Sequence, residues 1–205
     1  MKKYSGFTLM ELMITLLIVG ILVAIGVPSV KHFMQGSQLI ASTNELLSAF
    51  HVARSEAIKQ SAPVTVCAST DGESCSDDTD WTTGWIVFLD LDDDGGKDGV
   101  VKACTASAAN AGAVECLLRV HGAIDDPLLS MSGDDSNGDD IERFTFSGRG
   151  LPTVGGISRS GAISICSFDE ANSVIGSRAM SMSFAGRVRI TENAAVINCP
   201  ASPPS

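Results

Sequence analysis

The 205-residue chain has no Cys-x-x-Cys pair, and no pair among its three histidines (His32, His51, His121) stands at zinc-ligand spacing. The pattern of a structural zinc site is therefore missing. None of the histidines belongs to a triad or metal motif, no serine sits in a nucleophile-elbow context, and no glycine-rich loop leads into a helix as a phosphate cradle requires. The chain is not expected to be an enzyme, and neither a cofactor nor a small-molecule substrate is expected. Positive charge is also scarce. Against 24 Asp and Glu there are 14 Lys and Arg, a formal net charge of -10, so no global basic character points to nucleic acid. The deficit is uneven: residues 7–140 hold 6 basic and 20 acidic side chains, whereas residues 141–205 hold 6 basic, all arginine, and 4 acidic.

What is present starts at the amino terminus. Lys2 and Lys3 precede a small-residue junction, Ser5-Gly6, and an apolar run to Val27 follows in which Glu11 is the only charge. At about 1.5 Å per residue, such a run spans the ~30 Å hydrocarbon core as a helix. The lysines keep the leader cytoplasmic and send the rest outward. Glu11 costs several kcal/mol in lipid unless something pairs with it, and intramembrane carboxylates are functional sites by default. An ordinary signal peptide is cleaved after its apolar region; here the small-residue junction comes before it.

Gly6-Phe7-Thr8-Leu9-Met10-Glu11 resembles the type III signal of type IV pilins and type II secretion pseudopilins. The resemblance implies cleavage between Gly6 and Phe7 by a membrane prepilin peptidase, which also methylates the new amino terminus at Phe7. It makes Glu11 an assembly residue, and Pro28 stands where pilins often bend their helix. Further stretches narrow the likeness to the GspH/FimT (FimU-like) branch of minor pilins and pseudopilins. They are Ala53-Arg54-Ser55-Glu56-Ala57-Ile58-Lys59, Pro63-Val64-Thr65-Val66-Cys67, Trp81-Thr82-Thr83-Gly84-Trp85-Ile86-Val87-Phe88-Leu89-Asp90 and Phe184-Ala185-Gly186-Arg187-Val188-Arg189-Ile190. The implied fold is α+β, pilin-like: a long N-terminal helix packed on a mostly antiparallel β-sheet domain.

The remaining pattern agrees. Residues 37–60 lack proline and glycine, and Leu39, Ile40, Leu46, Leu47, Phe50, Ala53, Ala57 and Ile58 recur three and four apart as one apolar stripe, with Ser42, Asn44, Glu45, His51, Arg54 and Lys59 opposite. Pro63 ends the helix. Short runs rich in Val, Ile, Phe and Thr then predict strands over 64–68, 84–91, 114–121, 141–146, 162–167, 178–184 and 187–190. The expected division is a leader over 1–6, a transmembrane or filament-core helix over 7–30, its amphipathic continuation over 31–62, and a β-rich outer domain over 63–205. Six cysteines in an exported domain read as disulfides, and fifteen pairings are open. The nearest-neighbour set joins Cys67 with Cys75, Cys104 with Cys116, and Cys166 with Cys199.

Two constellations carry possible chemistry. Asp90, Asp92 and Asp94, followed by Gly95, match the first half of an EF-hand loop, but Val101 stands where the closing Glu belongs. This is a weak calcium candidate, and no complete metal site is expected. Residues 132–140 form a second acidic stretch, read as a solvated loop. Gly186-Arg187-Val188-Arg189 places two arginines on one face of a strand, a disposition suited to phosphate. It also resembles the Gly-Arg-x-Arg motif of DNA-uptake members of the branch, with Arg178, Arg149 and Arg143 as candidate extensions. The leading functional expectation is a minor pilin at or near the tip of a type IV pilus that helps prime its assembly. A minor pseudopilin of type II secretion and a DNA-binding minor pilin are the alternatives. The implied partners are the prepilin peptidase/methylase, other pilins or pseudopilins, inner-membrane lipid and, in the last case, DNA. The implied location is a single pass in the inner membrane with the C-terminal domain in the periplasm, then the filament, periplasmic or at the cell surface.

Overall fold

The computed structural model describes residues 6–76, 78–91, 102–103, 116–135, 139–153, 160–192 and 197–203. By its internal packing the chain divides into two units, Met1–Gln38 and Leu39–Ser205. One helix, α1 (Leu9–Gln60), contributes to both. Its start is capped: Thr8 Oγ1 accepts from the Glu11 backbone amide at 3.3 Å, and Glu11 stands at the third helical position, where a carboxylate suits the helix dipole. Within the first unit, Leu9–Gly26 is long and apolar enough to cross a membrane, and none of it is buried.

The second unit begins with the rest of α1. Its inward row is Leu39, Ser42, Thr43, Leu46, Ala49, Phe50, Ala53 and Ala57. The three-and-four spacing decides this row, not polarity alone. Ser42, expected on the polar side, is buried, whereas Ile40 and Ile58 are 43% and 51% exposed. Thr43 is accommodated because its hydroxyl donates to the Leu39 carbonyl at 2.6 Å. The helix closes in a Schellman arrangement. Ser61 takes φ 53°, Ser61 N–H reaches Ile58 O at 3.4 Å and Ala62 N–H reaches Ala57 O at 3.2 Å.

Pro63 follows, and the chain becomes β1 (Val64–Ala68), a 3-10 turn (Trp81–Thr83), β2 (Trp85–Leu89), β3 (Lys102–Ala103), β4 (Cys116–His121), β5 (Leu129–Asp135), β6 (Arg143–Phe146), β7 (Pro152–Thr153), β8 (Gly161–Phe168), β9 (Val174–Met182) and β10 (Val188–Thr191). One sheet has the order β3-β4-β2-β1-β6-β7, the other β10-β9-β8-β5. Every pairing is antiparallel except β3 with β4. This is the expected α+β class.

A single core joins α1 to both sheets through Phe50, Val66, Val87, Phe144, Phe146, Ile163, Ile165, Met180 and Met182. Phe50 is its hub, with ring centroids 5.2 Å from Phe144, 6.1 Å from Trp81 and 6.2 Å from Phe146. Alternation along β1 sends Val64, Val66 and Ala68 into this core and Cys67 to the other side, where it packs with Ile86 and Phe88. The Cys67–Cys75 disulfide lies over that second cluster. β8 is buried along its whole length. Its outer side meets the chain end, through the Cys166–Cys199 disulfide and an Asn198 amide that donates to Ser164 Oγ at 2.9 Å.

Two strand expectations are corrected. Residues 129–135, of which 132–135 were assigned to a solvated acidic loop, form β5 and pair with β8 in register from Leu129↔Ser167 to Asp135↔Gly161. Gly133 belongs in this strand because a Cβ there would lie 2.5 Å from Ile141 O and 3.2 Å from Trp81 Nε1, the space the indole needs to donate to Ile141 O. The strand expected over 178–184 instead starts at Val174 and stops at Met182, which puts Phe184 in a turn.

Truncating the hub removes ring contacts on three sides. Phe50→Ala should lower the unfolding free energy by about 3–5 kcal/mol, measured by urea unfolding of the detergent-solubilised chain with tryptophan fluorescence as the probe.

Candidate functional site

Gly6 and Phe7 precede α1, and Phe7 is exposed. A Cβ on Gly6 would meet no atom within 4 Å, and its φ lies outside the range that favours glycine. The packing of this chain gives no reason for glycine there. Glu11 is exposed in the first turn of α1, one turn from the junction, on a segment with no burial of its own.

The arginine site is built by the hairpin joining β9 to β10. Its turn closes with Gly186 N–H to Ser183 O at 2.8 Å and Ser183 N–H to Arg187 O at 3.0 Å. Gly186 takes φ 70°, and a Cβ there would collide with the Gly150 carbonyl oxygen. Gly150, at φ 74°, is confined in turn: a Cβ would lie 2.8 Å from Ile58 Cδ1 and 3.2 Å from Arg54 Nε. The two glycines thus clear the space that Arg54 fills, and Arg54 Nη2 donates to Ala185 O at 3.1 Å across 131 residues of sequence. Arg54, Gly150 and Phe184 were not singled out as parts of this site by sequence reasoning. The one signal was the positional coincidence of Arg54 and Gly186 within the family-like stretches.

Register fixes where the arginines lie. Val188 pairs with Met182 and Ile190 with Met180, the residues that face the core, so Arg189, paired with Ser181, and Arg187 two residues earlier occupy the outer face. Both are exposed. With Ser181, Met182 and Ser183 they line a shallow cavity of about 320 Å³. Among the described residues no carboxylate pairs with either guanidinium. Arg178 does not extend this face. It is paired with Ile165 in register, on the core side, and binds Glu192 at 3.1 Å. Arg143 binds Glu142 at 3.1 Å, and Arg149 is exposed in the turn beside Gly150.

The other expected residues are placed as follows. Cys67 is joined to Cys75 and Cys166 to Cys199. The Cys104–Cys116 pairing lies outside the described residues, since Cys104 does, and no described cysteine is free. Inside the Cys67–Cys75 loop the Ser74 hydroxyl, then the Glu73 and Ser74 amides, donate to Asp71 and hold its carboxyl far below the ordinary range. Asp90 is buried and accepts from Thr65 Oγ1 at 2.6 Å, while Asp92 and Asp94 lie outside the described residues. No metal-binding cluster occurs among the described residues. His51 is exposed on α1. His121 ends β4 stacked on Trp85 with ring centroids 3.9 Å apart, and Nε2 stands 2.9 Å from Glu45 Oε2.

Comparison with known families matches residues 42–186, from the inward row of α1 to the hairpin glycine, to the family described as type II transport protein GspH. The chain belongs to the GspH family. Residues 1–27 match the prokaryotic N-terminal methylation motif. This GspH-family chain is similar to a fimbrial protein of Pseudomonas aeruginosa, 30% identical over 120 residues, which are 55% of this chain and 73% of the relative. It is also similar to the type IV minor pilin FimU of Pseudomonas aeruginosa PAO1 in two crystal forms. These are 21% and 22% identical, with TM-scores of 0.47 and 0.46, and the alignments cover 78% and 74% of this chain and 92% and 90% of those chains.

The two glycines should behave oppositely. Gly186→Ala forces a side chain into a left-handed turn against Gly150 and should cost about 1–3 kcal/mol, read as a lowered unfolding midpoint. Gly6→Ala should leave that midpoint unchanged, because its Cβ meets nothing.

Proposed function

We propose that this chain is a minor pilin, inserted at or near the tip of a type IV pilus, where it helps prime assembly. The observation that carries the reading is Leu9–Gly26, an apolar helical segment with no burial in its own chain and one carboxylate at its capped end. Such a surface is stable only in lipid or against other apolar helices. Before assembly it anchors the protein in the inner membrane with the C-terminal domain in the periplasm; afterwards it packs into a filament core. Cleavage after Gly6 and methylation of Phe7 by the prepilin peptidase generate an amino group, which Glu11 of a neighbouring subunit pairs with. Pairing removes the cost of burying either charge alone. Glu11→Val should be processed like the wild type yet be depleted at least several-fold from fibres sheared off cells, with its membrane level unchanged. Equal recovery in the fibre fraction rejects the role given to Glu11. Intact fibres with trapped exoproteins in a deletion strain point instead to the pseudopilin alternative.

A second reading is favoured by the outer face of β10, where Arg187 and Arg189 stand exposed without an acidic partner among the described residues. Two forked, permanently charged donors on one face suit phosphodiester groups. The reading is DNA binding by the assembled subunit. Arg187→Gln with Arg189→Gln should weaken binding to DNA and flatten the dependence of log Kd on log salt by about two. Unchanged binding removes this site from consideration.

A further inference from the structure

Phe184 is 58% exposed at the turn between β9 and β10, three residues before Arg187 and five before Arg189. An aromatic ring at a turn tip gains nothing for the fold of its own chain when it is left in water. Here its position is held. The turn that bears it is closed by its own hydrogen bonds, by the fit of Gly186 over the Gly150 carbonyl, and by the Arg54 guanidinium on Ala185 O. A braced hairpin thus presents an aromatic face at its tip and two guanidinium groups two residues apart along the following strand.

Charge sets a limit on what such a surface can hold. The chain carries a formal net charge of -10, and two arginines neutralise only about two phosphates, a small electrostatic share. A duplex keeps its bases stacked inside and offers the Phe184 ring little. A single strand exposes its base faces, and stacking on an aromatic side chain is insensitive to sequence. The combination of few phosphate contacts with a presented ring matches a single strand better than a duplex.

We propose that the hairpin binds single-stranded nucleic acid, with Arg187 and Arg189 on adjacent phosphates and one base stacked on Phe184. The proposal rests on the DNA-binding reading above and names its substrate class. The protein for the test is the detergent-solubilised full chain, and fluorescence anisotropy compares three probes: a twenty-nucleotide oligothymidylate, an abasic strand of equal length, and a twenty-base-pair duplex. Wild type should bind the thymidylate about tenfold more tightly than the abasic strand, the share expected of one stacked base. Phe184→Ala should erase that difference and leave duplex binding within twofold, Phe184→Trp should restore it, and circular dichroism should be the same for all three proteins. If thymidylate and abasic strand bind alike, or Phe184→Ala weakens all probes equally, the stacking role is wrong while the arginine reading stands. If no probe binds, both fall together.

Discussion

The packing of Phe50 against Phe144, Phe146 and Trp81 is the contact on which the outer domain depends. These rings come from α1, from β6 and from the turn before β2, so one side chain ties the helix to elements far apart in sequence. The small residues on the same helical row, Ala49, Ala53 and Ala57, are buried beside it. Each outer side is then finished by a disulfide: Cys67–Cys75 over one, Cys166–Cys199 over the other. In a domain of this size the two bridges add stabilisation of a few kcal/mol each by restricting the unfolded chain.

The same helix serves two solvents. From Leu9 to Gly26 its surface is apolar, Glu11 and Thr15 apart, and unburied; from Leu39 onward one row is buried, and the exposed Ile40 and Ile58 share the remainder with polar side chains. That change in pattern along one uninterrupted element is what separates an anchoring segment from a scaffold. It also separates two kinds of glycine. Gly186 is required by the fold, because it sits in a left-handed turn against another backbone. Gly6 meets no described atom within 4 Å, so nothing in the described packing calls for glycine there.

Much of this was readable in advance. The apolar N-terminal run, the helix ending before Pro63 and the alternating strand over 143–146 followed from local pattern. β1 was expected over the residues it occupies, since Val64-Thr65-Val66-Cys67-Ala68 is β-rich and bounded by Pro63. What escaped was decided by neighbours remote in sequence. β5 reads as a loop because Ser132-Gly133-Asp134-Asp135 has turn composition, yet Trp81 needs the missing side chain of Gly133. Ser42 reads as solvent-facing, yet helical phase turns it inward. Arg178 reads as a candidate extension of the Arg187 and Arg189 patch, yet the pleat puts it on the opposite face with Glu192.

By itself the sequence determined the class of protein: a charge-poor apolar run behind a Gly-Phe junction with a carboxylate at its fifth following position, and a domain of alternating strands. These are local properties, carried by hydrophobic periodicity and by a processing signal that is itself linear. The tertiary structure alone decided that Arg178 leaves the face of Arg187 and Arg189, that Phe184 is exposed at the turn, and that Arg54 braces the hairpin from the helix. The approach of Gly186 to Gly150, 36 residues away, and the bond from Arg54 to Ala185 O across 131 residues join segments apart in sequence, and no local pattern encodes them.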